Sequence, residues 1–138
     1  MNGITLEQFW MGRDKSYAKD LTDEIRKNAA LTVERANHLL MLFYTANPKA
    51  SPRSVNSGWR PAAVNAGVKG AATKSKHMLG LAVDLSDDDG KLDEWCMTPA
   101  GQKALSDIGL WHEHPSATPR WCHVQTVAPR SGNRTFYP

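Results

Sequence analysis

A chain of 138 residues has the length of one ordinary domain, about 100–150 residues, and 41% hydrophobic and 22% charged residues argue against both a disordered chain and a membrane protein. The longest apolar run, Leu39 to Tyr44, falls far short of the roughly 20 residues a bilayer demands, so no membrane insertion is expected. The net charge is a modest +3, but every charged residue from Arg35 to Val83 is basic (Arg35, Lys49, Arg53, Arg60, Lys69, Lys74 and Lys76), which points to an anionic partner.

Thr5-Leu-Glu-Gln8 has the capping-box pattern and opens a short helix that Gly12 ends. A longer helix follows, capped by Asp20 or Thr22. Its apolar residues Ile25, Ala29, Val33, Ala36, Leu40 and Phe43 recur at helical spacing, and Asn47-Pro48 stops it after Ala46. Residues 47–58 read as a loop leading into a strand from Val55 to Arg60, and Pro61 suits the first position of a helix over Pro61 to Ala66. A Gly- and Lys-bearing loop precedes the clearest strand, Leu81 to Leu85, with Leu81, Val83 and Leu85 facing the core and Ala82 and Asp84 facing away. Asp87-Asp88-Asp89-Gly90 lacks the alternating spacing and distal Glu of a calcium-binding loop and reads as a turn. Helices are predicted at Lys91 to Met97 and from Thr98-Pro99 to Ile108, then strands at Leu110 to Glu113 and Trp121 to Thr126. Helices first and short strands later make a single α+β domain with an antiparallel sheet. Its helical part covers about residues 5–46 and its sheet and metal-site part about 53–126.

The chemistry concentrates in Ser75-Lys76-His77-Met78-Leu79-Gly80-Leu81-Ala82-Val83-Asp84. A histidine before a Gly turn and an aspartate on the polar face of the next strand bring imidazole and carboxylate to one cation. In Trp121-Cys122-His123-Val124-Gln125, strand alternation turns His123 and Gln125 to that same side and Cys122 and Val124 to the core. Two His and one carboxylate, with the fourth position left to water, is the open arrangement of catalytic zinc, one ion per chain. Neither Cys96 nor Cys122 lies in a Cys-x-x-Cys spacing, and both read as reduced, buried thiols.

Together these residues resemble the Ser-x-His-x-x-Gly-x-Ala-x-Asp … Trp-x-His pattern of the zinc D-Ala-D-Ala peptidases, a group that includes Hedgehog-type domains and several phage lysins. The resemblance runs from about Val55 to Gln125. It implies helices packed on a small antiparallel sheet that carries zinc on His77, Asp84 and His123. The family's Ser-x-x-Arg block is matched by Ser57-Gly58-Trp59-Arg60, which implies that Arg60 anchors a substrate carboxylate with Ser57 beside it. Ser75 either hydrogen-bonds the bound peptide or caps its own turn. Many members place an acidic base three residues before the last His, where this chain has Arg120. The nearest acidic candidate is Glu113, on a strand expected beside that of His123; if Glu113 faces the metal, His112 and His114 point away, and the opposite orientation would offer those two imidazoles instead. The implied activity is hydrolysis of peptidoglycan peptides containing D-amino acids, by a D,D-carboxypeptidase or an L-Ala-D-Glu endopeptidase, and the alternative is a catalytically inactive zinc-binding module of the Hedgehog-like type. A monomer is expected. Aromatic residues in the basic stretch are too sparse for a nucleic-acid stacking platform, so no nucleic-acid partner is expected. The opening MNGITLEQFW lacks a secretory signal pattern, so a cytoplasmic location is expected; the chain looks most like the family's phage lysins, a resemblance that implies residence in the host cytoplasm until the membrane is permeabilised.

Overall fold

The computed structural model describes residues 3–138. Thr5 caps α1 (Leu6–Trp10) with the reciprocal capping box read from the sequence, its hydroxyl accepting from Gln8 N at 3.1 Å. The helix ends one residue earlier than expected, because Met11 takes the left-handed conformation before Gly12 does. A one-turn helix, α2 (Arg13–Ser16), and a 3-10 turn over Ala18–Asp20 then fill a stretch in which no element is expected. Thr22, rather than Asp20, caps α3 (Asp23–Ala46) by accepting from Ile25 N at 3.1 Å. The apolar stripe of α3 is buried from Ile25 to Phe43 as its period requires, each large side chain contributing about 1.5–3 kcal/mol.

Strand β1 (Val55–Ser57) is shorter than the span to Arg60. The backbone leaves the sheet because its next groups bond elsewhere: Trp59 N donates to Phe9 O of α1 at 3.1 Å and Arg60 N to His77 O at 3.1 Å. Pro61 is the cap of α4 (Ala62–Ala66) rather than its first residue, since its ψ of 157° is extended. Strand β2 (Ala82–Ser86) starts after Leu81, which is only half-buried, and Ala82 is buried although its face was expected to look away from the core. The acidic run forms the expected turn. Asp87 accepts from Leu92 N and Asp93 N at the start of α5 (Lys91–Cys96) and pairs with the buried Arg53 at 3.0 Å.

Thr98 caps α6 (Pro99–Ile108), with Pro99 in the first turn as predicted. β3 (Trp111–Glu113), β4 (Trp121–Gln125) and an unanticipated β5 (Thr135–Phe136) complete a five-stranded sheet in the order β1-β2-β4-β3-β5. All pairs are antiparallel except β3 with β5, which is parallel, so the expected antiparallel sheet is a mostly antiparallel one. The core lies between α3 and the sheet, with Leu39, Leu40, Phe43, Val83, Leu85 and Val124 in it. No helix among the described residues is long and apolar enough to cross a membrane.

Gly58 shows how tightly β1 is held against α1. A Cβ there would lie 2.0 Å from Phe9 O, a contact that only backbone movement relieves. Gly58→Ala is therefore expected to cost about 1–3 kcal/mol of stability, read as a lower urea midpoint at unchanged slope. A midpoint equal to the parent's would show that this contact does not fix the strand.

Candidate metal centre

The β2–β4 ladder sets Asp84 directly opposite His123, and His77 stands on a 3-10 turn (Lys76–Leu79) just before β2. That turn is pinned to α3: the Thr32 hydroxyl donates to Gly80 O at 2.7 Å and Asn28 Nδ2 to Leu79 O at 3.0 Å. Gly80 is required twice, by its φ of +74° and because a Cβ would come within 3.0 Å of Ile25 O. The outcome is convergence. Asp84 Oδ1 lies 2.8 Å from His123 Nδ1 and 3.3 Å from His77 Nε2, and one donor atom from each residue lies within 4.8 Å of the others.

The outer nitrogen of each ring is tied to an acceptor, and this assigns the tautomers. His77 Nδ1 is 2.8 Å from Gly58 O, which can only accept, so the proton is on Nδ1 and the lone pair on Nε2. Gln125 Nε2 donates to Val127 O at 2.9 Å, which turns Gln125 Oε1 towards His123 Nε2, 2.9 Å away. The His123 proton is then on Nε2 and its lone pair on Nδ1. Three lone-pair donors face one another, which is repulsive unless a cation or a proton sits among them. The donor set of two imidazoles and one carboxylate, each imidazole backed by an oxygen acceptor, fits a zinc ion.

All three residues are buried, so their charges are set by one another. Burial alone would raise the Asp84 carboxyl, but the His77 and His123 imidazoles facing it hold it well below the ordinary carboxylate range. For His77 burial wins, and its pKa falls below 6.5 despite Asp84. Burial opposes charge on His123 too, yet its hydrogen bond to Asp84, the Asp84 charge, Gln125 and Glu113 together raise it above 6.5.

The cluster forms part of a cleft of about 910 Å³ whose walls include Arg60, Ser75, Glu113, Gln125, Arg130 and Tyr137. Glu113 projects to this side of β3 while His112 points to the opposite face, and burial raises the Glu113 carboxyl above its ordinary value although His123 pulls it down. His114 stacks on Tyr137 with ring centroids 4.4 Å apart and is not in the cluster. Arg60 Nη2 donates to Ser75 Oγ at 3.0 Å, while its Nε has no partner. Ser75 also caps its own turn, accepting from His77 N at 3.2 Å. Ser57 lies opposite Asp84 in the β1–β2 ladder but is not a wall of the cleft. Arg120 is exposed, beside Asp88 at 3.3 Å. The sequence reading missed the orienting parts of the Gly58 carbonyl and Gln125. It also missed the wall made by residues 129–138, where Phe136 sits edge-on to His123 at 6.3 Å. Only the alternation placing Gln125 on the His123 face hinted at any of this.

In metal-free protein an NMR titration should find His123 titrating above 6.5 and His77 below it. Asp84→Asn, which removes the negative charge, should bring the His123 value down. A His123 pKa unmoved by that change would contradict the coupling.

The sequence matches the family described as Peptidase M15 over residues 22–115, a span that takes in the long helix, Arg60, His77, Asp84 and Glu113 and ends before His123. No curated protein and no solved structure matches the chain. The match covers well over half of the sequence, and the site it leads into has a zinc-type donor set. The chain belongs to the Peptidase M15 family of zinc-dependent metallopeptidases.

Proposed function

We propose that this protein hydrolyses peptide bonds in peptidoglycan peptides containing D-amino acids, as a D,D-carboxypeptidase or an endopeptidase, with His77, Asp84 and His123 holding one zinc ion. The observation that carries the reading is the convergence of these three donors in a cleft whose walls also present Glu113 and Arg60. Bound there, zinc supplies Lewis acidity and brings the pKa of a water towards about 7. Glu113 takes a proton from the attacking water and returns it to the leaving amine. Its raised pKa, caused first by burial, brings it closer to the working pH and makes that return easier. Arg60 receives a substrate carboxylate on its planar fork, and Ser75, already bonded to it, holds the guanidinium in place. Ser57 has no contact with substrate in this reading. Lys69, Lys74, Lys76 and Arg130 on the cleft walls favour an acidic peptide. A phage-lysin setting, with synthesis in a host cytoplasm and monomeric action on the wall after membrane permeabilisation, belongs to the same proposal.

Mass spectrometry of muropeptides incubated with the zinc-loaded chain identifies the bond cut through its new termini. Glu113→Gln should lower turnover by about 10²–10⁴-fold while zinc stays bound. Unchanged turnover would remove Glu113 as the base, and no turnover in the parent would favour the non-hydrolytic zinc-binding module. His77→Ala and His123→Ala should each lose one equivalent of zinc together with activity, whereas His114→Ala should keep the metal.

Proton competition fixes the sign of the pH dependence. The His123 pKa is raised above 6.5 in the metal-free chain, so zinc affinity should fall as the pH drops through that raised pKa, by about tenfold per pH unit for one competing proton. Chelator competition between pH 8 and pH 5 measures this slope, and a flat profile would contradict the ligand assignment.

A further inference from the structure

The opposite face of the strands that carry His123 and Glu113 holds a second group of donor side chains, which the proposed hydrolysis does not use. Cys122 precedes His123 on β4 and His112 precedes Glu113 on β3, so strand alternation sends both to the side covered by α5. Cys96, the last residue of α5, meets them there. All three are fully buried, the cysteines are unpaired, and one donor atom from each lies within 4.8 Å of the others. Donors around tetrahedral zinc stand about 3.6–3.8 Å apart, so small side-chain rotations close the remaining distance.

The surroundings resemble those of a histidine ligand. Asp93, on the same helix as Cys96, places Oδ1 2.7 Å from His112 Nε2, and its Oδ2 accepts from the Thr118 hydroxyl at 2.9 Å. A carboxylate on the ring is the usual outer partner of a metal-binding imidazole. With its proton held on Nε2 by Asp93, the ring has Nδ1 to offer a metal; without metal Nδ1 lies 3.2 Å from Thr135 Oγ1, which accepts from Gln102 Nε2 at 2.7 Å and whose hydroxyl must turn away when metal binds. Two thiolates and one imidazole form a soft, compact set suited to zinc. Charge favours it as well: a divalent ion displaces one proton from each thiol, so metal and thiolates together add no net charge to the core.

We propose that Cys96, His112 and Cys122 supply three donors to a second zinc ion that ties α5 to β3 and β4. The proposal stands independently of the peptidase reading, because the two sites share no ligand.

The test uses the full reduced chain, loaded with zinc, dialysed against metal-free buffer and assayed by elemental analysis. The expected content is two zinc ions per chain in the parent and one each in His123→Ala and Cys122→Val. Cobalt separates the sites spectroscopically, because only the cysteine site gives thiolate-to-cobalt charge-transfer absorption. That band should persist in His123→Ala and vanish in Cys122→Val. A parent holding one zinc and showing no such band would overturn the second site and leave the first intact, while one zinc with the band would support the second site and count against the first. Should Cys122→Val fail to fold, thiol titration of the native parent decides: two thiols shielded by zinc and released by a chelator support the site, and reactivity indifferent to metal overturns it.

Discussion

Asp84 and His123 face each other because β2 and β4 pair antiparallel in one particular register. Side chains alternate across a sheet with a period of two, so slipping either strand by one residue would exchange its donor for a core residue. Val83, Leu85, Cys122 and Val124 hold that register by filling the opposite face, all of them fully buried. The same burial that gives the fold its core therefore decides which side of the sheet receives the carboxylate and the imidazole. His77 joins them from outside the sheet, carried on a turn that Thr32 and Asn28 fasten to α3. The long helix thus supports the site mechanically while contributing no donor to it.

Burying a carboxylate beside two imidazoles costs stability unless each group has a partner. The fold meets that cost with fixed acceptors: the Gly58 carbonyl behind His77 and the Gln125 amide, itself oriented by Val127 O, behind His123. These contacts also explain why β1 is so short. The chain must leave the sheet after Ser57 for the Gly58 carbonyl to reach His77, and the Trp59 and Arg60 amides then bond to α1 and to the His77 turn. A strand ending that looks irregular is part of the site's geometry.

Much of this was legible in the sequence, for identifiable reasons. The capping box at Thr5, the stripe of α3 and the Pro99 start of α6 are local signals, and the structure follows them. The placement of Asp84 and His123 on one side and Cys122 on the other follows from strand alternation, which also sets Glu113 and His112 on opposite faces of β3; the β3–β4 register decides which of them faces the cluster. What escaped was non-local. β5 has two residues and exists only because β3 offers it a parallel edge, which no period in residues 127–138 announces. Ala82 is buried because both faces of β2 are covered, so alternation gave its direction without its environment. Ser57 fits the motif by its spacing to Arg60 and stands opposite Asp84 in the ladder, yet it is not among the walls of the cleft.

The site also suggests how a catalytic base can change address within one fold. Position 120 lies at a turn where Arg120 has a φ of +75° and its side chain runs outward to Asp88. β3 and β4 are hydrogen-bonded partners joined by a short connection, which sets Glu113 on the cleft wall beside the strand of His123. On the proposed reading, Glu113 supplies from the adjacent strand what the turn does not. Its half-buried position raises its pKa against the pull of His123, a shift that an exposed turn residue would lack. A proton acceptor has to satisfy distance to the reacting water and a suitable environment, and neither requirement specifies which strand carries it. The His77–Asp84–His123 frame depends on strand register, whereas a base depends only on facing the same cleft.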